Sequence, residues 1–512
     1  MASGAAQANQ YTAFGRARIA AAGGDVTVAA AQYGIALTAA PDSAIIAQRA
    51  FRQAMAAGDL VLARRAIAAM GADAPFETRT LILADAVKAG DPKAIDAALA
   101  GFDKTPFYFM APITRAWLTL DASKIDASGE TGAIRHVLLE NRAMILIAAG
   151  DLSGGADGLR GELANSSGGL DLRYAAAELL IGQGRGAIAE QLLRGPNAEV
   201  ASVRSRLTAA KPSAAFGLSR LYARIAADLN DAGTTPIAVT LTRAALVLDP
   251  QDDRARVLLA GALARLNANA RALAVLDEIP PASAFRWIGQ GTRVEILRDS
   301  GDLAAALAAA KALTATPDAD AGIAQLYATM LLSAGHPLEA AAAFETARDR
   351  MGSDAGWAIW LQIGAAYDKA GRWPQARAAY EQSLALSPGE AVTLNQYGFA
   401  LIDRGQEVPR ALAMLEKAHS LAPDEPSIAD SLGWAYFRQG QADKALPLLE
   451  AASIQAPSDA EISEHLGDVY WAVGRRYEAR YAWSAARLLA DPKAVARIDA
   501  KLRDGPPPPR RA

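Results

Sequence analysis

Residues 391–493 fall into three lines when broken after 425 and 459: AVTLNQYGFALIDRGQEVPRALAMLEKAHSLAPDE, PSIADSLGWAYFRQGQADKALPLLEAASIQAPSD and AEISEHLGDVYWAVGRRYEARYAWSAARLLADPK. With 357–390 placed above them, the same residue types stand in the same columns. Gly364, Gly398, Gly433 and Gly467 are 34, 35 and 34 residues apart, and Tyr367, Leu401, Tyr436 and Tyr470 follow each by three. Gly371, Gly405, Gly440 and Gly474 come four further on. Ala376, Ala411, Ala445 and Ala479 recur next, then Tyr380, Leu415, Leu449 and Trp483. Pro388, Pro423 and Pro457 close three of the lines, and Pro492 stands near the equivalent place in the fourth. A period of this length is the mark of stacked supersecondary units, each burying its apolar face on its neighbours.

Each column has a physical role. The small residue at repeat position 8 and the Ala at position 20 face each other across a helical hairpin, where a larger side chain would force the helices apart. The large residue at position 24 fills the space towards the next unit. Gly at position 15 ends the first helix because it takes the left-handed conformation cheaply. Pro at position 32 cannot continue the second helix and begins the linker. The extra residue of the 391–425 unit falls in the turn at Glu407–Pro409, where an insertion costs least.

Working outward, the template fits 321–354, 287–320, 253–286 and 219–252, and again 10–43 with Ala17, Gly24, Ala29, Tyr33, Ala36 and Pro41. Units at 44–77, 136–169 and 170–203 are weaker, and 78–135 is irregular, with an aromatic, proline-broken link at Thr105–Pro112 and a polar loop at Asp121–Gly132. The expected organisation is a disordered tail at 1–9, a divergent array over 10–204, a junction at 205–218, a regular array over 219–493, and a helix end with a proline-rich tail at 494–512. The fold class is all-α, an α-solenoid of about a dozen helix-turn-helix units.

Composition agrees. Of 512 residues 52% are hydrophobic but only 6% aromatic, and Ala supplies much of the difference, favouring closely packed helices. A net charge of −3 and the lack of any dense Lys/Arg run give no global attraction to nucleic acid. The absence of cysteine excludes disulfides, thiolate metal sites and Cys nucleophiles. No run reaches the roughly 18–20 apolar residues needed to span a bilayer as a helix. Ala6-Gln7-Ala8 has the small-x-small form of a signal-peptidase site, without basic or apolar regions ahead of it. It reads either as part of a short tail or as the remnant of an export signal.

The columns are those of the tetratricopeptide repeat. Leu394–Gly398 (LNQYG), Asp430–Tyr436 (DSLGWAY), Glu464–Tyr470 (EHLGDVY) and the run from Trp471 through Gly474 to Arg480 further resemble a family of exported alphaproteobacterial tetratricopeptide-repeat proteins of undefined role. That resemblance implies a periplasmic location. The repeat also implies a right-handed superhelix whose first helices line the concave face, with positions 2, 5, 6, 9, 12 and 13 pointing into the groove. On this sequence those positions hold Gln362, Ala365, Asp368, Lys369, Asp403, Ser431 and Glu461, together with the residues expected to bind the partner: Asn395, Gln396, Phe399, Asp430, Trp434, Phe437, Arg438, Glu464, His465, Asp468 and Trp471. Within them, Asn395, Phe399, Asp430, Trp434, Glu464 and Trp471 are expected to form one continuous strip, the alternative for Trp434 and Trp471 being that they pack between adjacent helices and fill a junction. Leu361, Ala365, Asp430 and Glu464 stand where a carboxylate-gripping clamp would need basic and amide groups, so a basic or amphipathic protein segment is the expected partner.

Chemistry is sparse by comparison. His136, His336, His419 and His465 are isolated from one another and read as ordinary turn or surface residues; none has a second His at the spacing of a metal pair. Gly182–Gly186 (GQGRG) has neither a preceding strand nor a following Lys-Ser/Thr and reads as an inter-helix turn. No catalytic residue, metal ligand set or cofactor is expected. The sequence reads as a non-enzymatic scaffold or adaptor, serving envelope-protein assembly if it is periplasmic. The alternatives are a substrate-recruiting subunit of an enzyme complex and an enzyme with a site hidden in 78–218.

Overall fold

The computed structural model describes residues 2–165, 169–194, 203–204, 206–229, 231–316 and 319–506. Among these residues all regular structure is helical and there is no strand: the chain is an α-solenoid. Two compact units divide it, Met1–Leu326 and Tyr327–Ala512. The proline-rich tail beyond residue 506 lies outside the described residues.

In the C-terminal unit the hairpins pair Trp357–Lys369 with Trp373–Leu386, Ala391–Arg404 with Val408–Leu421, Pro426–Arg438 with Ala442–Gln455, and Ala460–Ala472 with Arg476–Leu489. A further helix, Pro492–Asp504, completes the unit. The register read from the repeat is visible in what a side chain at position 8 would meet. A Cβ on Gly364 would lie 2.7 Å from Tyr380 Cδ1, one on Gly398 3.0 Å from Leu415 Cγ, and one on Gly433 2.9 Å from Leu449 Cγ. The glycine's nearest neighbour is thus the large residue at position 24, with the backbone at position 20 just behind it (Ala411 O at 3.1 Å, Ala445 O at 3.3 Å). In the 391–425 unit the inserted residue is absorbed by Glu407, left-handed at φ 45°, whose carboxylate is held by Arg410 (2.8 Å) and Arg377 (2.7 Å).

The tyrosine at position 11 has a role that periodicity alone did not reveal. Its hydroxyl donates to a glutamate at position 25 of the preceding unit: Tyr367 to Glu345 (3.0 Å), Tyr436 to Glu416 (2.8 Å) and Tyr470 to Glu450 (2.8 Å). Where position 11 is Leu401, Tyr397 takes over and donates to Glu381 at 3.0 Å. Each junction between these units therefore carries one charge-assisted hydrogen bond in addition to its apolar contacts.

The N-terminal unit is helical from Ala2, so the tail expected at 1–9 lies within the helix Ala2–Ala22. The irregular segment is compact. Phe107 packs edge-on against Phe76 (5.3 Å) and Phe109 (5.9 Å), and the Tyr108 hydroxyl donates to Glu130 at 2.6 Å. The expected junction at 205–218 does not separate two bodies, because side chains beyond it reach back. Tyr222 Oη donates to Thr80 O (3.2 Å), a Cβ on Gly217 would collide with Trp117, and Arg220 pairs with Glu178 (2.9 Å). Arg243, on the helix Thr235–Leu248, donates to the Met55 and Ala56 carbonyls (2.9 and 3.1 Å) at the end of the helix Ala44–Ala57. There it caps groups with no partner in their own helix, although burial pushes its pKa down to about 10.

Candidate partner-binding groove

First helices of successive units stand side by side in the C-terminal unit, so their positions 5, 6, 9 and 13 line one concavity. It encloses 780 Å³ between Ala365 and Ile462. Asn395, Gln396, Phe399 and Asp430 all border it, together with Asp368, Lys369, Asp403, Arg404, Ser431, Asp459 and Glu461. Gln396 is exposed, Asn395 and Phe399 are half-buried, and Asp430 is buried. Asn395 Oδ1 is screened from solvent and accepts no hydrogen bond. Such a group has a polar contact still to make, since a buried unpaired acceptor is costly. Five carboxylates face two cations here, Lys369 and Arg404. Arg404 is already paired with Asp368, and burial lifts the Asp368 carboxyl above its ordinary value in spite of that pairing. Asp459 also caps the helix Ala460–Ala472, accepting from the Glu461 and Ile462 amides.

The remaining expected residues lie elsewhere. Trp434, Phe437, Arg438 and His465 form the seam between neighbouring first helices. The His465 ring stacks on Trp434 with centroids 4.0 Å apart and Phe437 lies 5.4 Å from Trp434, while the Arg438 guanidinium reaches 3.8 Å from Asp403. His465 is buried, not a surface residue, because its Nδ1 shares a hydrogen bond with Asp430 (2.9 Å) across the seam. Burial, the largest single influence, works against the charged imidazole, but its hydrogen bond and charge interaction with Asp430 together with the Glu461 and Asp468 carboxylates leave the pKa above its ordinary value.

Glu464, Asp468 and Trp471 are engaged by the helix Pro492–Asp504, which occupies the place a further first helix would take. Arg497 and Lys501 bridge to Glu464 (2.7 and 2.6 Å), and Lys501 also reaches Asp468 (2.6 Å). Burial alone would raise the Glu464 carboxyl, yet these two cations hold it below the usual range; for Asp468 burial prevails and the pKa rises. Trp471 lies under the Arg476 guanidinium (3.7 Å), beside Trp483 (5.4 Å), and closely packed on Gly505. The strip expected from Asn395 to Trp471 is therefore interrupted after Asp430. The charged members beyond that point share a face with aromatics because they bind a helix of the chain itself.

Among the groove residues, Asp459 and Arg404 were not read from the sequence. Asp459 lies just ahead of the first helix of its unit, and its signal was the cap pattern Asp-Ala-Glu before an apolar run. Arg404 stands at position 14, outside the expected inward set.

In the N-terminal unit a second polar cluster joins Arg220 to Glu178, Asp249 (3.0 Å) and Asp252 (2.6 Å), with Arg254 on Asp171 (2.6 Å) nearby. Its charges pair with one another, and it ties the helices Gly169–Gly182 and Ala214–Asp228 to the turn at 249–252.

Comparison with known families finds tetratricopeptide-repeat models matching residues 354–488 and 224–286. Similar solved structures include MamA from Desulfovibrio magneticus, 21% identical over 33% of this chain and 94% of its own, with a TM-score of 0.28. A tetratricopeptide repeat protein from Parabacteroides merdae is 15% identical over 46% and 92%, with a TM-score of 0.39. A chain of the APC/C hetero-tetramer Cut9-Hcn1 is 14% identical over 97% and 96%, with a TM-score of 0.40. No curated protein sequence matches. Residues 224–286 and 354–488 are tetratricopeptide repeats, and the acidic groove lies within the second of these segments.

Proposed function

We propose that this chain is a non-enzymatic protein-interaction scaffold whose groove between Ala365 and Ile462 holds a basic, apolar-bearing polypeptide segment. The observation that carries this reading is the lining itself: five carboxylates against two cations, around a half-buried Phe399 and an Asn395 carbonyl oxygen with no partner. A backbone amide of an extended segment suits Asn395, an apolar side chain suits Phe399, and Lys or Arg side chains suit Asp403 and Glu461. Export, which the resemblance to alphaproteobacterial proteins implies, is the reason for placing the proposed scaffold in envelope-protein assembly, and fractionation of a tagged chain should find it in the periplasm.

Fluorescence anisotropy with a labelled decapeptide of alternating Lys and Leu tests the groove directly. Phe399→Ala combined with Asp403→Asn should weaken binding by about 2 kcal/mol, roughly thirtyfold, while circular dichroism stays unchanged. An unchanged affinity for the Lys/Leu peptide in the folded double variant would remove this groove as the site.

A further inference from the structure

The N-terminal unit carries a concavity of the opposite charge. Between the helices Ala2–Ala22 and Ala44–Ala57 it encloses 440 Å³, lined by Arg18, Arg49, Arg52, Gln48, Gln53 and Ile45, with Tyr33 and Ala21 at its floor. Arg18, Gln48, Arg49 and Arg52 stand at repeat positions 9, 5, 6 and 9, the same register that lines the acidic groove of the C-terminal unit. Among the described residues no carboxylate borders this cavity, and none of the three arginines takes part in an ion pair. Arg64, Arg220 and Arg254 of the same unit are by contrast each held by a carboxylate, Arg64 by Asp85 at 2.7 Å. Arg49 is steadied from one side by the Phe14 ring, 5.4 Å from its guanidinium carbon. Gln53 Oε1 is screened from solvent and has no hydrogen-bond partner.

Three like charges gathered in a concavity repel one another, and no carboxylate among the lining residues offsets that. A ligand that supplies negative charge relieves it. Guanidinium groups take carboxylates in bidentate fashion. Gln48 and Gln53 offer amides suited to a peptide backbone, and Ile45, 66% exposed, offers an apolar contact. Of the rings at the cavity, Tyr33 is buried and Phe14 lies under Arg49, so neither presents a face for stacking a base, and the exposed Tyr11 on the helix of Arg18 is not part of the lining. We propose that this groove is a second docking site, separate from the acidic one, that takes an acidic polypeptide segment bearing at least two carboxylates and an apolar side chain.

The test uses the full chain and a fluorescein-labelled decapeptide of alternating Glu and Leu. Its Gln/Leu analogue, inorganic tripolyphosphate and a ten-nucleotide single strand serve as competitors. The Glu/Leu peptide should bind, the Gln/Leu analogue should compete poorly, and affinity should fall as salt rises from about 0.05 to about 0.3 M. Arg18→Gln, Arg49→Gln and Arg52→Gln together should weaken binding about tenfold or more, three exposed charge contacts being lost at once. Asp403→Asn with Glu461→Gln, in the acidic groove, should leave it unchanged, so failure here is distinguishable from failure of the first site. If the triple variant loses helicity, R18Q and R52Q alone decide, each expected to weaken binding about threefold. Equal binding of the Gln/Leu analogue, an unaltered affinity in the folded variants, or tighter binding of the oligonucleotide or tripolyphosphate than of the peptide would overturn the proposal.

Discussion

Gly467→Ala adds a single methyl group, yet the structure gives it a large cost. A Cβ at Gly467 would collide with Cδ1 and Nε1 of Trp483 and stand 3.0 Å from Cε2. The ring would have to retreat by about 1 Å to regain ordinary carbon–carbon separation. It has little room to do so. Trp483 is fully buried, and its Nε1 donates to Asp468 Oδ1 at 3.0 Å, while the other carboxylate oxygen is held by Lys501. Overpacking costs about 1–3 kcal/mol. Straining or losing a hydrogen bond to a charged acceptor adds about 1.5–3 kcal/mol. Replacing a helical glycine by alanine returns about 0.5–1 kcal/mol, so the net loss is about 1.5–5.5 kcal/mol. Two companion variants calibrate the result. Gly398→Ala meets the more pliant Leu415 and should cost no more than about 1 kcal/mol. Gly261→Ala has no neighbour nearer than Arg265 Nη1 at 3.7 Å and should stabilise by about 0.5–1 kcal/mol. Urea unfolding monitored by tryptophan fluorescence and by far-ultraviolet circular dichroism reads all three. If Gly467→Ala were as stable as wild type, Trp483 would not sit against Gly467, and the repeat register would be wrong.

Other contacts give further expected outcomes. Lys501→Met removes the cation shared by two buried carboxylates and should cost about 3–5 kcal/mol, with hydrogen exchange accelerating first in 460–504; unaltered protection there would show that the last helix does not close the array. Arg243→Met leaves the Met55 and Ala56 carbonyls without donors and should cost about 1–3 kcal/mol, read as faster amide exchange over 44–57 and a lower melting temperature. The His465 pKa is raised in the folded chain, so its pairing with Asp430 contributes fully at pH values below the ordinary 6.5 and is lost as pH rises through the folded value. The C-terminal unit should therefore be more stable near pH 6 than near pH 9, a difference that Asp430→Asn abolishes; a His465 titration by NMR at or below 6.5 would refute it.

Much of the fold was legible because each structural demand falls on one residue type at one spacing. A helix end needs a left-handed residue, and Gly371, Gly405, Gly440 and Gly474 supply it with φ between 64° and 85°. A close helix crossing needs a missing side chain, and Gly364, Gly398, Gly433 and Gly467 supply that. These demands are local to one hairpin, so a 34-residue period expresses them fully. Asn395, Gln396, Phe399 and Asp430 were legible for the same reason: an inward repeat position remains inward as long as another repeat stacks beyond it.

The surroundings of each hairpin were a matter for the tertiary structure. Asp430 and Glu464 occupy the same repeat position and have the same chemistry, but Asp430 borders the groove while Glu464 is bridged by Arg497 and Lys501 of the closing helix. A carboxylate carries the same signal in sequence whether its cation comes from a ligand or from the chain itself. The reach of Arg243 to Met55 and of Tyr222 to Thr80 likewise spans well over a hundred residues, and no periodicity encodes it. The sequence by itself determined the hairpin, its register and the inward-facing positions, because those depend on neighbours a few turns away. Which inward positions of the C-terminal unit stay open to a partner depended on where the terminal helix came to rest. That is decided by the burial of whole surfaces, not by any single spacing.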